Sequence, residues 1–311
     1  MTTGLFTHEA CLLHVTPPGH PERVERLKSV MDGMNGFPEL RRFEAPRADR
    51  ESLCAAHDPA MVDAILSAQI GEGTFARIDT DTSMSSGSAE AALRAAGAVI
   101  QAVDAVMAGE VRNGFCAVRP PGHHAERSRA MGFCLFNNVA IGALHARGAH
   151  GLARIAVVDF DVHHGNGTQD IFWNDANLFY ASTHQSPLYP GTGSPSERGI
   201  AGNVVNAPLP PGAGSEEFQA AFEEIVLPAL DRFAPDFVLI SAGFDAHAAD
   251  PLASLRLCAG DFAWATERLC DLADQHCSGR VVSALEGGYD LGALASSAAA
   301  HVRALLQQSG I

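Results

Sequence analysis

Residues 154–167 read RIAVVDFDVHHGNG, an apolar run rich in β-branched side chains that passes directly into two carboxylates, two histidines and a glycine turn. Such a run is typical of a buried strand in a parallel sheet. Burying like charges at this density is costly unless something pairs with them. The stretch therefore predicts a core strand that carries a cation-binding site at its carboxyl end.

Four further runs have the same composition and alternate along the chain with stretches of helical periodicity. The strand-like runs are FCAVR (115–119), LFYAS (178–182), FVLISAG (237–243) and RVVSAL (280–285), and the helical stretches span 88–109, 216–233, 261–276 and 291–308. This alternation predicts an open parallel sheet flanked by helices, because successive parallel strands need a crossover connection. No linker separates two regions of different composition, so we expect one α/β domain over residues 1–311.

The composition is that of an ordinary globular protein, with 47% hydrophobic and 18% charged residues. The net charge of −15 contains no block of like charges and argues against general nucleic-acid binding. A cationic or neutral substrate fits this balance better, although solubility alone is the commoner reason for such acidity.

The seven cysteines form no CxxC pair and make an odd total, which argues against a disulfide framework or a cysteine zinc knuckle. They are interpreted as reduced thiols. The N-terminal residues MTTGLFTHEA lack the features of a signal peptide, and no apolar run reaches the roughly 20 residues that a membrane span needs. We therefore expect a cytoplasmic protein with no membrane association.

A group of unusual polar residues follows each of four predicted strands. These groups are RPPGHH (119–124), DVHHGNG (161–167), FDAH (244–247) and EGGYD (286–290). In open α/β sheets, ligands bind at the carboxyl ends of strands, so the four segments should converge on one site. The long Gly- and Pro-rich segment 186–214 follows another strand and is expected to form one wall of that site.

Three side chains in these segments have the character of a catalytic metal site. Asp161 and His163 are two residues apart in an extended segment, which points both side chains to one side. Asp245 provides a third ligand, and three protein ligands leave positions open for water and substrate. Oxygen and imidazole donors accept zinc (Zn²⁺) or ferrous iron (Fe²⁺).

The tandem His123 and His124 follow a Pro-Pro-Gly turn, and a neutral histidine there could take a proton from water and later protonate a leaving group. Asp159 and Asn166 are candidates to hydrogen-bond the two imidazoles. Tyr289, after two glycines, could donate to an oxyanion. In the alternative interpretation, Asp159 is a buried acid satisfied by backbone amides, Asn166 is a turn residue, and Tyr289 only packs a turn.

Taken together, the motifs resemble those of the zinc-dependent histone deacetylase family, which includes acetylpolyamine amidohydrolases. The segments that resemble it are RPPGHHAERSRAMGFCLFNN (119–138), VVDFDVHHGNGTQDIFW (157–173), SAGFDAHAADPLASLRL (241–257) and EGGYDL (286–291), with HPERVERLKSV (20–30) and DTDT (79–82). The resemblance covers nearly the whole chain. It implies an arginase/deacetylase-like fold, a parallel sheet of about eight strands, and hydrolysis of an N-acyl amide on an alkylamine.

The resemblance also implies a role for each matching residue. Asp161, His163 and Asp245 would be the zinc ligands. His124 would be the general base and acid, and His123, oriented by Asp159, its electrostatic partner. Tyr289 would polarise the substrate carbonyl.

The remaining implied roles concern the pocket walls and a structural potassium ion (K⁺). Asp81 would hold substrate at the rim, Arg23 would lie behind the site, Phe133 and Tyr189 would form the acyl-lysine tunnel, and Gly132 would offer its carbonyl. The potassium ligands would be Asp159, Ser182 and the backbone carbonyls of Asp161, His163 and Thr183.

Asn166 makes the chain resemble class II, bacterial-type members of the family. Two rival functions stay open. A dinuclear manganese ureohydrolase would need an acidic ligand where this chain has Gly165, and a catalytically silent protein could use the pocket to bind acyl-lysine or act as a scaffold. Within the enzyme interpretation, the substrate is an acylated lysine peptide or protein, an acetylated polyamine or another small amide, and a homo-oligomer stays open.

Overall fold

The computed structural model describes residues 2–308, and its centre is one sheet of eight parallel strands. Met1 and residues 309–311, which belong to the predicted 1–311 domain, lie outside the described residues. The strand order is β2-β1-β5-β10-β9-β6-β7-β8. These strands are β1 Thr3–Thr7, β2 Arg41–Glu44, β5 Asn113–Cys116, β6 Ile155–Asp159, β7 Leu178–Gln185, β8 Val204–Leu209, β9 Phe237–Ala242 and β10 Val281–Leu285; β3 Ala76–Arg77 and β4 Ser83–Met84 form a separate hairpin.

Helices connect the strands and cover the sheet. They are α1 Val24–Met34, α2 Arg50–Ala56, α3 Pro59–Leu66, α4 Ser88–Met107, α5 Asn138–His150, α6 Asn166–Phe172, α7 Ser215–Ala221, α8 Leu227–Phe233, α9 Ala259–Cys277 and α10 Leu291–Gln308. Helices α4 and α5 pack together on the sheet, as do α1, α9 and α10. Every residue of β5, β6, β9 and β10 is buried, as expected for central parallel strands that are covered on both faces.

The prediction of an open parallel sheet flanked by helices is confirmed, and all five predicted strands are present. One predicted helix is not continuous. Residues 216–233 form α7, a π-helical turn at Phe222–Val226 and α8. Pro228 lies at the start of α8 and lacks the N–H of an α-helical hydrogen bond. The α-helical hydrogen-bond pattern is therefore interrupted by the π-helical turn before it.

The segment 186–214 is only partly a loop. Residues 204–209 form the edge strand β8, and residues 186–203 before it form the irregular connection. That connection includes Leu188 and Tyr189, which line a pocket at the carboxyl end of the sheet, as predicted for this wall.

The sheet order explains why the four polar segments meet. Strands β5, β10, β9 and β6 are consecutive neighbours, and no more than two residues separate each strand from one of the four segments. Within residues 2–308, no helix has both the length and the apolar composition needed to span a membrane.

Candidate active site

The centre of the site is a triad of Asp161, His163 and Asp245, whose candidate ligand atoms all lie within 4.8 Å of one another. Nδ1 of His163 lies 3.2 Å from Oδ1 of Asp161 and 3.2 Å from Oδ2 of Asp245. All three residues are buried. The two segments that carry them follow the neighbouring strands β6 and β9.

Backbone amides fix the two carboxylates of this triad. The N–H of Val162 donates to Oδ1 of Asp245 at 2.9 Å, and the N–H of Gly287 donates to Oδ2 of Asp161 at 2.8 Å. A Cβ atom at Gly243 or Gly287 would come within 2.0 Å of a carboxylate oxygen of the triad. Glycine is therefore required at both places by close approach.

The charges around the triad favour a cation. Burial opposes protonation of His163, but the carboxylates of Asp161 and Asp245 outweigh it and raise its pKa to about 10. Asp159 and Glu286 add two more fully buried carboxyl groups nearby. One imidazole nitrogen and two carboxylates are a donor set that suits zinc or ferrous iron, so these residues fit a divalent metal ion.

The tandem histidines lie beside the triad and have different partners. Nδ1 of His123 lies 3.0 Å from Oδ2 of Asp159, and Nδ1 of His124 lies 2.8 Å from Oδ1 of Asn166. Burial opposes protonation of His123, but Asp161 and Asp159 outweigh it and raise its pKa well above the usual value. Burial, together with the charges of His123 and His163, lowers the pKa of His124 well below the usual value. His124 is therefore the neutral imidazole of the pair at pH 7.

Asn166 is held in one orientation by a residue that the sequence did not suggest. Its Nδ2 donates to Oε1 of Glu126 at 2.7 Å, which leaves Oδ1 to accept from His124. A proton on Nδ1 of His124 leaves Nε2 with its lone pair free, and His124 lines the pocket. This arrangement suits a general base.

A pocket of about 220 Å³ opens above the triad. Its lining comprises Asp81, His124, Gly132, Phe133, His163, Leu188, Tyr189, Leu252 and Tyr289. The four residues predicted for the walls are all present, and Leu188 and Leu252 are additional. The ring centroids of Tyr189 and His124 are 5.1 Å apart, and those of Phe133 and Tyr289 are 5.9 Å apart.

The Gly132–Phe133 segment has unusual backbone geometry, with φ of 57° and 68° in the left-handed region. A Cβ atom at Gly132 would lie 2.5 Å from the His124 ring, so glycine permits the close approach. Phe133 has no such freedom and is a strained position of the kind found at ligand-binding sites.

Tyr289 lies on the loop after β10, and Asp250 and Arg26 hold it in place. Its backbone N–H donates to Oδ2 of Asp250 at 2.7 Å, and the guanidinium of Arg26 lies 4.8 Å from its ring centre. Arg26 also donates to the Gly288 carbonyl at 2.6 Å. Within residues 2–308, no group hydrogen-bonds the Tyr289 hydroxyl, which leaves it available to a bound molecule.

The prediction that Arg23 lies behind the site is wrong. Arg23 is the residue before α1, and its side chain is exposed, whereas Arg26 is fully buried on the inner face of α1. The charge of Arg26 is balanced by the buried Glu22, whose Oε1 lies 3.2 Å from Nη1 of Arg26. Glu22 also pairs with Arg119.

The residues predicted to hold potassium lie at and just after the carboxyl end of β6 and in the adjoining part of β7. Asp159 pairs in register with Ser182, and Oδ1 of Asp159 accepts from the Asp161 N–H at 3.1 Å. Oγ of Ser182 lies 2.9 Å from Nδ1 of His184, while Oγ1 of Thr183 is buried with no partner among residues 2–308. Carboxylate, hydroxyl and backbone carbonyl oxygens are suitable donors for a hard cation.

Several supporting residues escaped the sequence analysis because their partners are distant in sequence. Glu286 accepts from the backbone N–H groups of Gly122 and His123 at 2.6 and 3.1 Å and so fixes the turn before the tandem histidines. The Tyr180 hydroxyl bridges Asp159 and the Gly165 N–H. Of these supporting residues, only Glu286 had a local sequence signal, because it is the first residue of the EGGYD motif.

Comparisons with known proteins identify one family and agree with the observed fold. The family profile described as "Histone deacetylase domain" matches residues 18–305. A "Probable deacetylase" of Archaeoglobus fulgidus is 44% identical over 299 residues, covering 94% of this chain and 82% of that protein. A "Histone deacetylase-like amidohydrolase" of Pseudomonas aeruginosa is 39% identical over 312 residues, covering 92% and 81%. The solved structure titled "Crystal Structure of HDA15 HD domain" matches with a TM-score of 0.92 and 38% identity, covering 98% of this chain and 88% of that one.

Proposed function

Because the chain belongs to the histone deacetylase family, we propose that it removes acetyl or other acyl groups from an alkylamine with the help of a divalent metal ion. Asp161, His163 and Asp245 would hold that ion. The observation that carries the proposal is the position of this triad below a 220 Å³ pocket that also contains His124 and Tyr289. The proposal treats residues 1–311 as one catalytic domain, since strands from Thr3 to Leu285 share one sheet.

A divalent ion in this triad would supply a Lewis acid that activates water and polarises a carbonyl. His124 is the neutral partner of the histidine pair, and its Nε2 would take a proton from the attacking water. The same nitrogen would then deliver that proton to the leaving amine. Asn166, held by Glu126, would keep His124 in the tautomer that this role requires.

His123 and Tyr289 would act on charge that develops in the reaction. The carboxylates of Asp159 and Asp161 favour the protonated form of His123, which would place a fixed positive charge beside His124. The Tyr289 hydroxyl would donate to the oxygen of the carbonyl under attack. Asp250 and Arg26 hold the backbone and ring of Tyr289, so the donor would be aligned before substrate binds.

The walls of the pocket suggest a linear, flexible substrate. The Phe133 and Tyr189 rings would enclose an alkyl chain, and Asp81 at the rim would contact substrate outside the tunnel. Together with the net charge of −15, this rim suits acyl-lysine peptides, acetylated polyamines and other small cationic amides. We propose zinc as the metal, with ferrous iron accepted by the same donors, and a structural potassium ion at Asp159 and Ser182. Seven free cysteines favour a reducing compartment such as the cytoplasm.

A substrate panel tests the proposal. We expect measurable kcat/KM on acetyl-lysine peptides, acetylputrescine or acetylspermidine, because all three present the same amide on an alkyl chain. The ratio among them would identify the substrate class. Binding of these compounds without turnover by a metal-loaded protein would contradict the proposal and favour the catalytically silent alternative.

Asn166→Asp is expected to move the acidic limb of the kcat/KM profile to higher pH by about one unit. A carboxylate at 2.8 Å from Nδ1 stabilises the imidazolium of His124 and raises its pKa, so the base is protonated over a wider acidic range. KM should change less than kcat, because Asn166 does not line the pocket. The measurement is a pH–rate profile of wild type and variant on one substrate.

Glu126 provides the matched control for that experiment. In Asn166→Asp, the new carboxylate faces Glu126 and has lost the 2.7 Å amide hydrogen bond. Adding Glu126→Gln restores a donor at this contact, so the double variant should regain stability and keep the shifted acidic limb. An unmoved limb accompanied by a tenfold change in KM would show that residue 166 does not act through His124.

Asp81→Asn is expected to raise KM for a cationic acetylpolyamine by up to about fivefold and to leave kcat unchanged. Asp81 is half-buried at the rim, where a single charge interaction is worth at most about 1 kcal/mol. An acetylated peptide without a neighbouring positive charge is the control and should change less. Equal losses on both substrates would indicate that Asp81 holds the rim in shape and does not select charge.

A further inference from the structure

A second group of metal-binding side chains lies on the surface between α4 and α5, away from the pocket. Asp104 belongs to α4, and His145 and His150 belong to α5. Nε2 of His145 and Nε2 of His150 each lie 2.7 Å from the same carboxylate oxygen, Oδ1 of Asp104. The candidate ligand atoms of the three residues lie within 4.8 Å of one another.

The sequence spacing makes this convergence a property of the tertiary structure. The two histidines are five residues apart, so they do not share a face of α5 as a pair three or four residues apart would. They meet because the neighbouring helix places Asp104 between them. Helices α4 and α5 pack against each other and bury Ala102, Val103 and Ala146, so the two helices have a fixed relative position.

The cluster is accessible to ions from solution. The side chains of His145 and His150 are 19% and 24% exposed, and that of Asp104 is 50% exposed. Three protein ligands would thus leave the outer positions of an ion to water. His150 is the last residue of α5, where the helix dipole favours a positive charge.

Both Nε2 atoms point at the same oxygen of Asp104, and the two ring centres are 5.6 Å apart. A divalent ion bound there would accept both Nε2 lone pairs, and the carboxylate would offset part of its charge. Asp49, which caps α2, lies close enough to His145 to interact electrostatically and adds further negative potential.

We propose that Asp104, His145 and His150 form a second divalent-metal site, separate from the pocket. Two imidazoles and one carboxylate suit a borderline transition-metal ion such as Zn²⁺, Co²⁺, Ni²⁺ or Cu²⁺ and disfavour Mg²⁺ or Ca²⁺. An ion bound here links α4 to α5 and stabilises the folded chain by mass action. This site does not depend on the proposed function.

Equilibrium dialysis of the full chain against Zn²⁺, followed by metal analysis, tests the proposal. We expect about two zinc ions per wild-type chain and about one in His150→Ala or Asp104→Asn, because either change leaves only two protein ligands. His276→Ala is the matched control, because His276 forms a surface pair with Asp231 at 2.8 Å but has no second histidine in that pair. It should bind as much zinc as wild type.

A second comparison separates this site from the triad. Asp245→Ala should keep about one zinc ion per chain and lose it when combined with Asp104→Asn. Zinc should also raise the Tm of Asp245→Ala and fail to raise that of the double variant. Equal zinc content in wild type, His150→Ala and Asp104→Asn, with the same Tm response to zinc, would overturn the second site and leave the triad untouched.

Discussion

Asp245→Ala is expected to remove the metal from the pocket and to lower kcat/KM by far more than the roughly 100-fold that loss of a supporting residue costs. Among residues 2–308, three candidate ligands converge there, so no spare donor replaces the missing carboxylate. The fold should survive, because the change also removes one of several mutually repelling buried carboxylates. Metal analysis and turnover on one preparation measure both effects.

Asp245→Asn is the matched control for this prediction. The amide keeps the shape of the side chain and an oxygen that can accept from the Val162 N–H, but it loses the negative charge. Metal binding should therefore be greatly weakened while Tm stays closer to wild type than in the alanine variant. A stoichiometric metal ion at the pocket with normal turnover in Asp245→Ala would remove this residue from the ligand set.

Tyr289→Phe is expected to lower kcat by roughly 100–1000-fold and to leave KM within a few-fold of wild type. The hydroxyl has no protein partner among residues 2–308, so its loss should affect mainly the reacting carbonyl. The ring contacts with Phe133 and Arg26 are retained, so Tm and metal content should not change.

Tyr189→Phe is the control for Tyr289→Phe, because it deletes a hydroxyl from the other tyrosine in the pocket wall. Its kcat should stay within a few-fold of wild type. If Tyr289 only packs its loop, Tyr289→Phe should instead lower Tm and have a modest kinetic effect. A fully metal-loaded variant that keeps more than about a tenth of the wild-type kcat would exclude an oxyanion donor.

Of the strands in the main sheet, sequence reasoning missed β1, β2 and β8. Strand β1, TGLFT, is interior and mostly buried, but it is short and contains Gly4, so its pattern is weak. Strand β2, RRFE, is an edge strand with mostly exposed side chains, so it lacks an apolar run. Strand β8 contains Pro208, which is tolerated because this strand is at the other edge of the sheet. The central strands were predictable because both of their faces are buried.

The sequence predicted those parts of the site that come soon after neighbouring strands of the sheet. The motif after each central strand identified the triad, the tandem histidines and Tyr289. The supporting contacts depend on tertiary packing, which local sequence does not encode. Glu126 reaches Asn166 across 40 residues, and Asp250 reaches Tyr289 across 39.

Arg26 illustrates how a motif match can assign the wrong residue. HPERVER offers two arginines three positions apart, and the match favoured Arg23. Helix α1 begins at Val24 and turns Arg26 inward with Leu27 and Val30, which leaves Arg23 exposed before the helix. Helix phase, and not spacing from the motif, decides which arginine reaches the Tyr289 loop.

The most direct test of the central claim is turnover of an acetyl-lysine peptide by one preparation before chelation, after chelation and after zinc is restored. If the triad, His124 and Tyr289 form a metal-dependent amidohydrolase site, the chelated protein should stay folded, lose turnover and regain it with zinc. Turnover that persists after the metal has been removed, as verified by metal analysis, would contradict the account.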